Sequence, residues 1–236
     1  MKSLTDYKIK IRLSLLAFIA SLNISSAVQT RVQLETNYGD LYLTLYDDDA
    51  PLTVANFLSY ITSDAFDDTF FHRSVPSFVL QGGGFEINSG TISSVVTTGT
   101  VDNEFGISNT RGTIAMAQSG SDPDSATSGW FINLVDNDGT TANNLDTLNG
   151  GFTVFGFIEN MSLVDLIMAE TFVADITSLI SGPFEEVPLD NSVLDDSEVG
   201  PGDFVIIQNA SVIPEPSSSA LLLLGVGSCL LIRRRK

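Results

Sequence analysis

Positive charge is scarce in this chain. Its 236 residues hold 11 Lys and Arg and one His, against 29 Asp and Glu. Lys2, Lys8, Lys10 and Arg12 lie near the N-terminus and Arg233, Arg234, Arg235 and Lys236 close the C-terminus. Only Arg31, Arg73 and Arg111 remain for everything between. Over residues 28–213, 27 acids face those three arginines, a net charge near −24. Such a surface repels nucleic acid and anionic lipid, so no nucleic-acid partner is expected. Cysteine is nearly missing too. Cys229 lies in the C-terminal tail, which leaves the body without a disulfide, a Cys-based zinc site or a thiol nucleophile. A single histidine, His72, excludes a His-rich metal site. A Ser-His-Asp triad would need that same His72 beside Arg73, whose charge disfavours the imidazolium such chemistry must form. His72 reads instead as a packed structural histidine.

The acidity itself has two readings. One is adaptation to solubility or salt. The other is divalent-cation binding, with Asp47-Asp48-Asp49 and DNDG at 136–139 as candidates. Neither has the ligand spacing of an EF-hand loop. No metal and no cofactor are assigned.

Both ends of the chain read as export signals. A basic segment to Arg12, the apolar run LSLLAFIASL and the small residues Ser25-Ser26-Ala27 form a secretory leader over residues 1–27. At the other end, Pro214-Glu215-Pro216 breaks any structure arriving from the body, and Ala220–Ile232 is apolar or small throughout. That run is shorter than the roughly 20 residues needed to span a bilayer unaided. Flanking serines and snorkelling arginines extend it to a marginal span, a transient C-terminal anchor with the cations on the cytoplasmic side.

The body, residues 28–213, is one domain's worth of chain. VQLETNYGDLYLTLY alternates apolar and polar on both sides of Asn37–Asp40 and predicts a hairpin. Pro51 then opens a helix with Val54, Phe57, Leu58 and Ile61 on one face, and three acids precede it where they favour the positive helix end. Strands are predicted at SFVLQ, GTIAMA, WFINLV, FTVFGFI and FVIIQNASV, with a second helix near Ser162–Ala169. Residues 171–202 read as a long loop rich in Pro, Gly and acids, with no assigned role. Many antiparallel strands and two separated helices predict a mainly β fold, a closed barrel flanked by helices. No oligomer signal is present, so a monomer is expected.

Chemistry concentrates in FFHRSVPSFVLQGGG, residues 70–84, where Arg73 sits among aromatic and branched apolar neighbours. The glycines follow a strand, but no Lys-Ser/Thr and no helix pattern come after them, which argues against phosphate binding. An arginine stays protonated, so it cannot serve as a general base or nucleophile. It can direct a hydrogen bond inside an apolar pocket, and rotation about an Xaa-Pro bond needs no more. The barrier is about 18–20 kcal/mol because the nitrogen lone pair is delocalised into the carbonyl. At the twisted midpoint the lone pair returns to nitrogen, which then accepts a hydrogen bond that neither ground state can.

PLTVANF, FFHRSVPSFVLQGGGF, GTIAMA, SATSGWFIN and TVFGFI occur in that order across residues 51–158. Together they resemble the cyclophilin family of peptidyl-prolyl cis-trans isomerases. The resemblance implies an eight-stranded antiparallel barrel capped by two helices, with no cofactor. It makes Arg73 the catalytic arginine and Gln81 the glutamine that helps hold it and the substrate. Phe78, Val79, Phe131 and Leu145 match positions lining the proline pocket, with Met116 on the adjoining strand. Gln118 takes the place of an asparagine that binds the substrate backbone. There are departures: Gly129 stands where the family pattern has a glutamine, Trp130 where phenylalanine is usual, Asn144 where tryptophan is frequent and Phe152 where histidine or tyrosine is. The first removes a polar partner of the substrate, and the others are expected to alter the pocket rim; the arginine and the hydrophobic floor remain, so activity is expected to be retained at a weaker level. The C-terminal Pro-Glu-Pro, apolar run and Arg cluster resemble the PEP-CTERM sorting tail, which implies processing by an exosortase.

Three functions follow as alternatives: an exported isomerase assisting protein folding through Xaa-Pro bonds, a low-turnover module that captures proline-containing segments, or a surface or matrix structural protein.

Overall fold

A computed structural model describes residues 29–140, 143–180, 182–191 and 199–214. The expected leader, and the tail from Glu215 onward, lie outside the described residues. Among the described residues no helix is long and apolar enough to cross a membrane.

The predicted hairpin forms. Strands β1 (Arg31–Thr36) and β2 (Gly39–Leu45) pair antiparallel from Arg31↔Thr44 to Thr36↔Gly39, and alternate residues of each are buried. Helix α1 (Pro51–Thr62) begins at its proline and buries Thr53, Val54, Phe57, Tyr60 and Ile61. Its exposed N-terminal amides are satisfied differently from expectation. Asp47 is turned away and accepts from the Thr30 amide and hydroxyl at 2.8 and 2.7 Å. The Glu104 carboxylate reaches in instead, accepting from the Leu52 and Thr53 amides at 3.1 and 2.8 Å and from the Thr53 hydroxyl. A carboxylate at this end complements both the unpaired amides and the helix dipole.

The chain continues through β3 (Thr69–Phe70), β4 (Arg73–Val75), β5 (Val79–Gly82), β6 (Phe85–Asn88), β7 (Thr91–Ser94), β8 (Thr113–Met116), β9 (Trp130–Asn133) and β10 (Val154–Ile158). Helix α2 (Met161–Glu170), then β11 (Thr171–Ala174), β12 (Val187–Asp190) and β13 (Ile206–Ile213) complete it. One sheet has the order β4-β5-β9-β8-β10-β2-β1-β13-β3-β6-β7. Residues 69–75 serve both flanks of it. Thr69 and Phe70 pair with β13 and the Phe71 amide donates to Val205, whereas the His72 amide donates to Gln81 and Arg73–Val75 pair with β5. One stretch of chain therefore supplies both the first strand of the order, β4, and β3, near its other end, and the antiparallel sheet curls round its core. Among the described residues there are thirteen short strands, and bends at Phe71–His72 and Gly83–Gly84 separate β3 from β4 and β5 from β6.

Inside the curl lies the main core, with Leu34, Leu43, Phe57, Phe66, Trp130 and Phe155 fully or nearly fully buried. Trp130 is edge-on to Phe57, Phe66 and Phe71 at 6.3, 6.4 and 5.7 Å. It is thus a core residue, which corrects the expectation that it alters the pocket rim. The glycine run explains how so large a ring fits. A Cβ at Gly83 would stand 2.5 Å from the Trp130 ring nitrogen and 2.6 Å from the Ser128 carbonyl, and Gly83 has φ +74°. Only glycine meets both demands.

The segment read as a long loop contains two strands. β11 and β12 form a hairpin, Thr171↔Asp190 to Ala174↔Val187. Phe184, Val187 and Leu189 join Phe70, Ile87 and Phe204 in a second cluster on the outside of the sheet.

Candidate active site

Alternation along each strand sorts the predicted site residues by face. Arg73 on β4 is opposite Gln81 on β5, Gln81 opposite Phe131 on β9, and Phe131 opposite Ala115 on β8. Directly opposed residues share a face, so these four form a row across the sheet. Their neighbours Leu80, Ile132 and Ile114 belong to the interior core, so the row is on the outer face.

A cavity of about 260 Å³ opens beside that row. Of the residues predicted from the sequence, Arg73, Phe78, Val79, Gln81, Gln118, Phe131, Leu145 and Phe152 line it. Two do not. Met116 is one residue out of phase with Ala115, so its side chain enters the interior core, where it is 2% exposed. Asn144 stays on the surface, its side-chain oxygen accepting from the Thr147 amide and its carboxamide packed near Gly139. Ala117 and Leu148 complete the wall and were not expected. Ala117 was readable, since it follows Ala115 at the strand period of two.

The floor is apolar and well supported. Val79, Phe131 and Leu145 are nearly fully buried over Ala115 and Val154, and Phe131 meets Phe152 edge-on at 5.8 Å. Three buried asparagines bind the surrounding loops together. Asn137 donates to the Phe78 carbonyl at 3.0 Å and to Asn133 Oδ1 at 2.7 Å. Asn133 in turn donates to Asn109 Oδ1, and Asn109 donates to the Asp146 carboxylate and the Phe152 carbonyl. The DNDG segment therefore scaffolds the pocket through Asn137, while Asp138 Oδ1 accepts from Thr140. Among the described residues, no group of three His, Cys, Asp or Glu is arranged to hold a metal ion.

Above the floor stand the polar groups. Arg73 is partly exposed, and its Nε donates to Glu186 Oε2 at 2.9 Å. Among the described residues its terminal nitrogens carry no other hydrogen bond. Gln118 Nε2 donates to the Gly151 carbonyl at 2.9 Å, which leaves Gln118 Oε1 buried and without a partner among the described residues. Such an oxygen is a ready acceptor for a peptide N–H. Next door lies a second cavity of about 400 Å³, which shares Arg73, Gln81 and Gln118 and reaches Gly129 and Pro183. His72 also borders it. Burial, reinforced by the adjacent Arg73 charge, pushes the His72 pKa down to about 4, so the ring is neutral at ordinary pH.

Comparison with known proteins places the fold. The family model for cyclophilin type peptidyl-prolyl cis-trans isomerases matches residues 31–183. A peptidyl-prolyl cis-trans isomerase of Acinetobacter baylyi is 38% identical over 170 residues, 71% of this chain and 84% of the relative. Peptidyl-prolyl cis-trans isomerase B of Escherichia coli is 36% identical over 167 residues, 70% of this chain and 96% of the relative. A Cryptosporidium parvum cyclophilin crystal structure superposes with TM-score 0.52 at 24% identity, covering 80% of this chain and all of that one, which is a likeness of fold. The chain belongs to the cyclophilin-type peptidyl-prolyl cis-trans isomerases, and isomerase is its enzyme class. The PEP-CTERM protein-sorting motif matches residues 212–236, beginning inside β13.

Proposed function

We propose that this protein isomerises Xaa-Pro bonds of exported polypeptides by a non-covalent mechanism. The row Arg73–Gln81–Phe131 beside an apolar cavity is the observation that carries the reading. The proline ring enters the cavity over Phe131, Leu145 and Val79, which fixes one side of the amide and strips water from it. Gln118 Oε1 accepts from the substrate backbone and so fixes the other side. The terminal nitrogens of Arg73 then donate to the prolyl nitrogen as the amide twists and its lone pair localises. A hydrogen bond from a charged donor contributes about 1.5–3 kcal/mol, one to two powers of ten in rate. Holding the ring and excluding water supply the remainder.

Residues 1–27 act as the leader, 28–213 as the isomerase domain and 214–236 as a tail cleaved by an exosortase-like enzyme. Clients are then proteins that fold beyond the inner membrane, in the periplasm or at the cell surface. Uncatalysed prolyl isomerisation takes about 10–100 s, slow beside most folding steps, which gives such an enzyme its use there.

Gly129 favours a second reading, a module that binds proline segments with little turnover, because it offers no side chain to the neighbouring cavity. NMR exchange between cis and trans Ala-Pro-Phe-type peptide separates the two. The full chain is expected to accelerate exchange, and Arg73→Ala to slow it at least roughly tenfold. Peptide binding without acceleration would leave the binding module as the function.

A further inference from the structure

Glu186 lies beyond the residues matched by the family model, in a segment whose sequence suggested no role. It nevertheless touches the reactive row twice. Its side chain accepts from Arg73 Nε at 2.9 Å, and its main-chain carbonyl accepts from the Ser74 amide at 2.6 Å. Both contacts fall on consecutive residues of β4, so side chain and backbone are registered together against the strand that carries the arginine.

The segment presenting Glu186 is firmly seated. Phe184, two residues before, is 1% exposed, and its ring lies 6.1 Å from Phe70 and 5.0 Å from Phe85. Val187, the next residue, is fully buried and opens the β12 half of the hairpin. The chain is buried at Phe184 and again at Val187, while Glu185 is exposed and the Glu186 side chain is itself 40% exposed, so the carboxylate reaches Arg73 from a seated segment at the surface.

The way Arg73 is held differs from the other two arginines of the body. Arg31 gives both Nε and one terminal nitrogen to Glu159, at 2.8 and 2.6 Å. Arg111 gives its terminal nitrogens to Leu134 and Asp165. Arg73 is held at Nε alone, which restrains the guanidinium at one point and leaves the terminal donors for the cavity. Gln81, expected to help hold it, makes no hydrogen bond to it among the described residues.

We propose that Glu186 is the positioning residue of Arg73, holding the guanidinium at Nε so that its terminal nitrogens face the prolyl amide. This rests on the isomerase reading of the same site. Glu186 touches no substrate, so its effect runs wholly through Arg73.

A double-mutant cycle on the full chain tests this, with catalysed exchange of the Ala-Pro-Phe-type peptide as the readout. Glu186→Gln is expected to lower kcat/KM roughly three- to tenfold in the parent and less than about 1.5-fold in the Arg73→Ala background. Peptide affinity, from NMR titration, should stay within about twofold, because the loss belongs to the transition state. Equal losses in both backgrounds would assign Glu186 to hairpin stability and overturn the proposal. An unchanged parent would overturn it as well, with the isomerase reading intact. If the parent catalyses no exchange, the isomerase reading fails and the proposal falls with it. Should Glu186→Gln not fold, Glu186→Asp in the same two backgrounds supplies the same comparison.

Discussion

His72 shows how one side chain can matter to stability without serving the chemistry. It is 5% exposed, packs edge-on against Phe85 at 4.9 Å, and has no partner for Nδ1 among the described residues. Its folded pKa of about 4 lies below the ordinary 6.5, so the unfolded chain binds the proton more readily. The stability contributed by the neutral ring is therefore complete above about pH 6.5 and drains away as pH falls toward 4. Urea unfolding at pH 7 and pH 4.5 should show the parent losing about 1–3 kcal/mol more than His72→Gln over that interval. Equal losses would mean the ring is not desolvated as described. The mechanism proposed above moves no proton and gives His72 no part. Arg73, Gln81 and Phe131 were readable from the local motifs that carry them, and the structure puts them in one register row, whereas Met116 is one step out of phase on β8 and enters the core.

Elements with special backbone needs were visible as composition but not as cause. The run Gly82-Gly83-Gly84 is a place where sheet, Trp130 and His72 press together, the last with its Cε1 3.1 Å from where a Gly84 Cβ would stand. Gly83→Ala must both adopt a positive φ and displace the indole. It is expected to cost roughly 2–4 kcal/mol by denaturant midpoint, far more than the same change at Gly120, which has open space around it. Helix α1 and the hairpin β1–β2 were legible from periodicity. The β11–β12 hairpin was not, because four-residue strands carry too few alternations to stand out beside prolines and acids. Nor could the Glu104 cap of α1 be read, since it lies 52 residues from the amide it serves.

At the scale of the whole molecule, the body carries a large excess of acid, and the one arginine of the site is itself paired with Glu186. A field of that sign draws cationic peptide segments toward the surface and is screened beyond about 8–10 Å in ordinary salt. Raising salt from about 20 to 500 mM should slow catalysed isomerisation of a lysine-flanked proline peptide roughly three- to tenfold, and that of an uncharged one less than about twofold. Identical salt responses would remove the surface charge from substrate capture. The same charge excess explains why all three arginines of the body have a carboxylate beside them.

The sequence by itself determined the mainly β class, the two helices and the family, and it singled out Arg73 as the candidate, because strand alternation and an ordered set of local motifs are written in neighbouring residues. The tertiary structure alone decided which face each residue presents, how Trp130 fits the core, and which carboxylate grips Arg73. Those depend on contacts between residues far apart in the chain, such as Arg73 and Glu186, separated by 113 positions. Nothing in the local pattern around either one encodes that meeting.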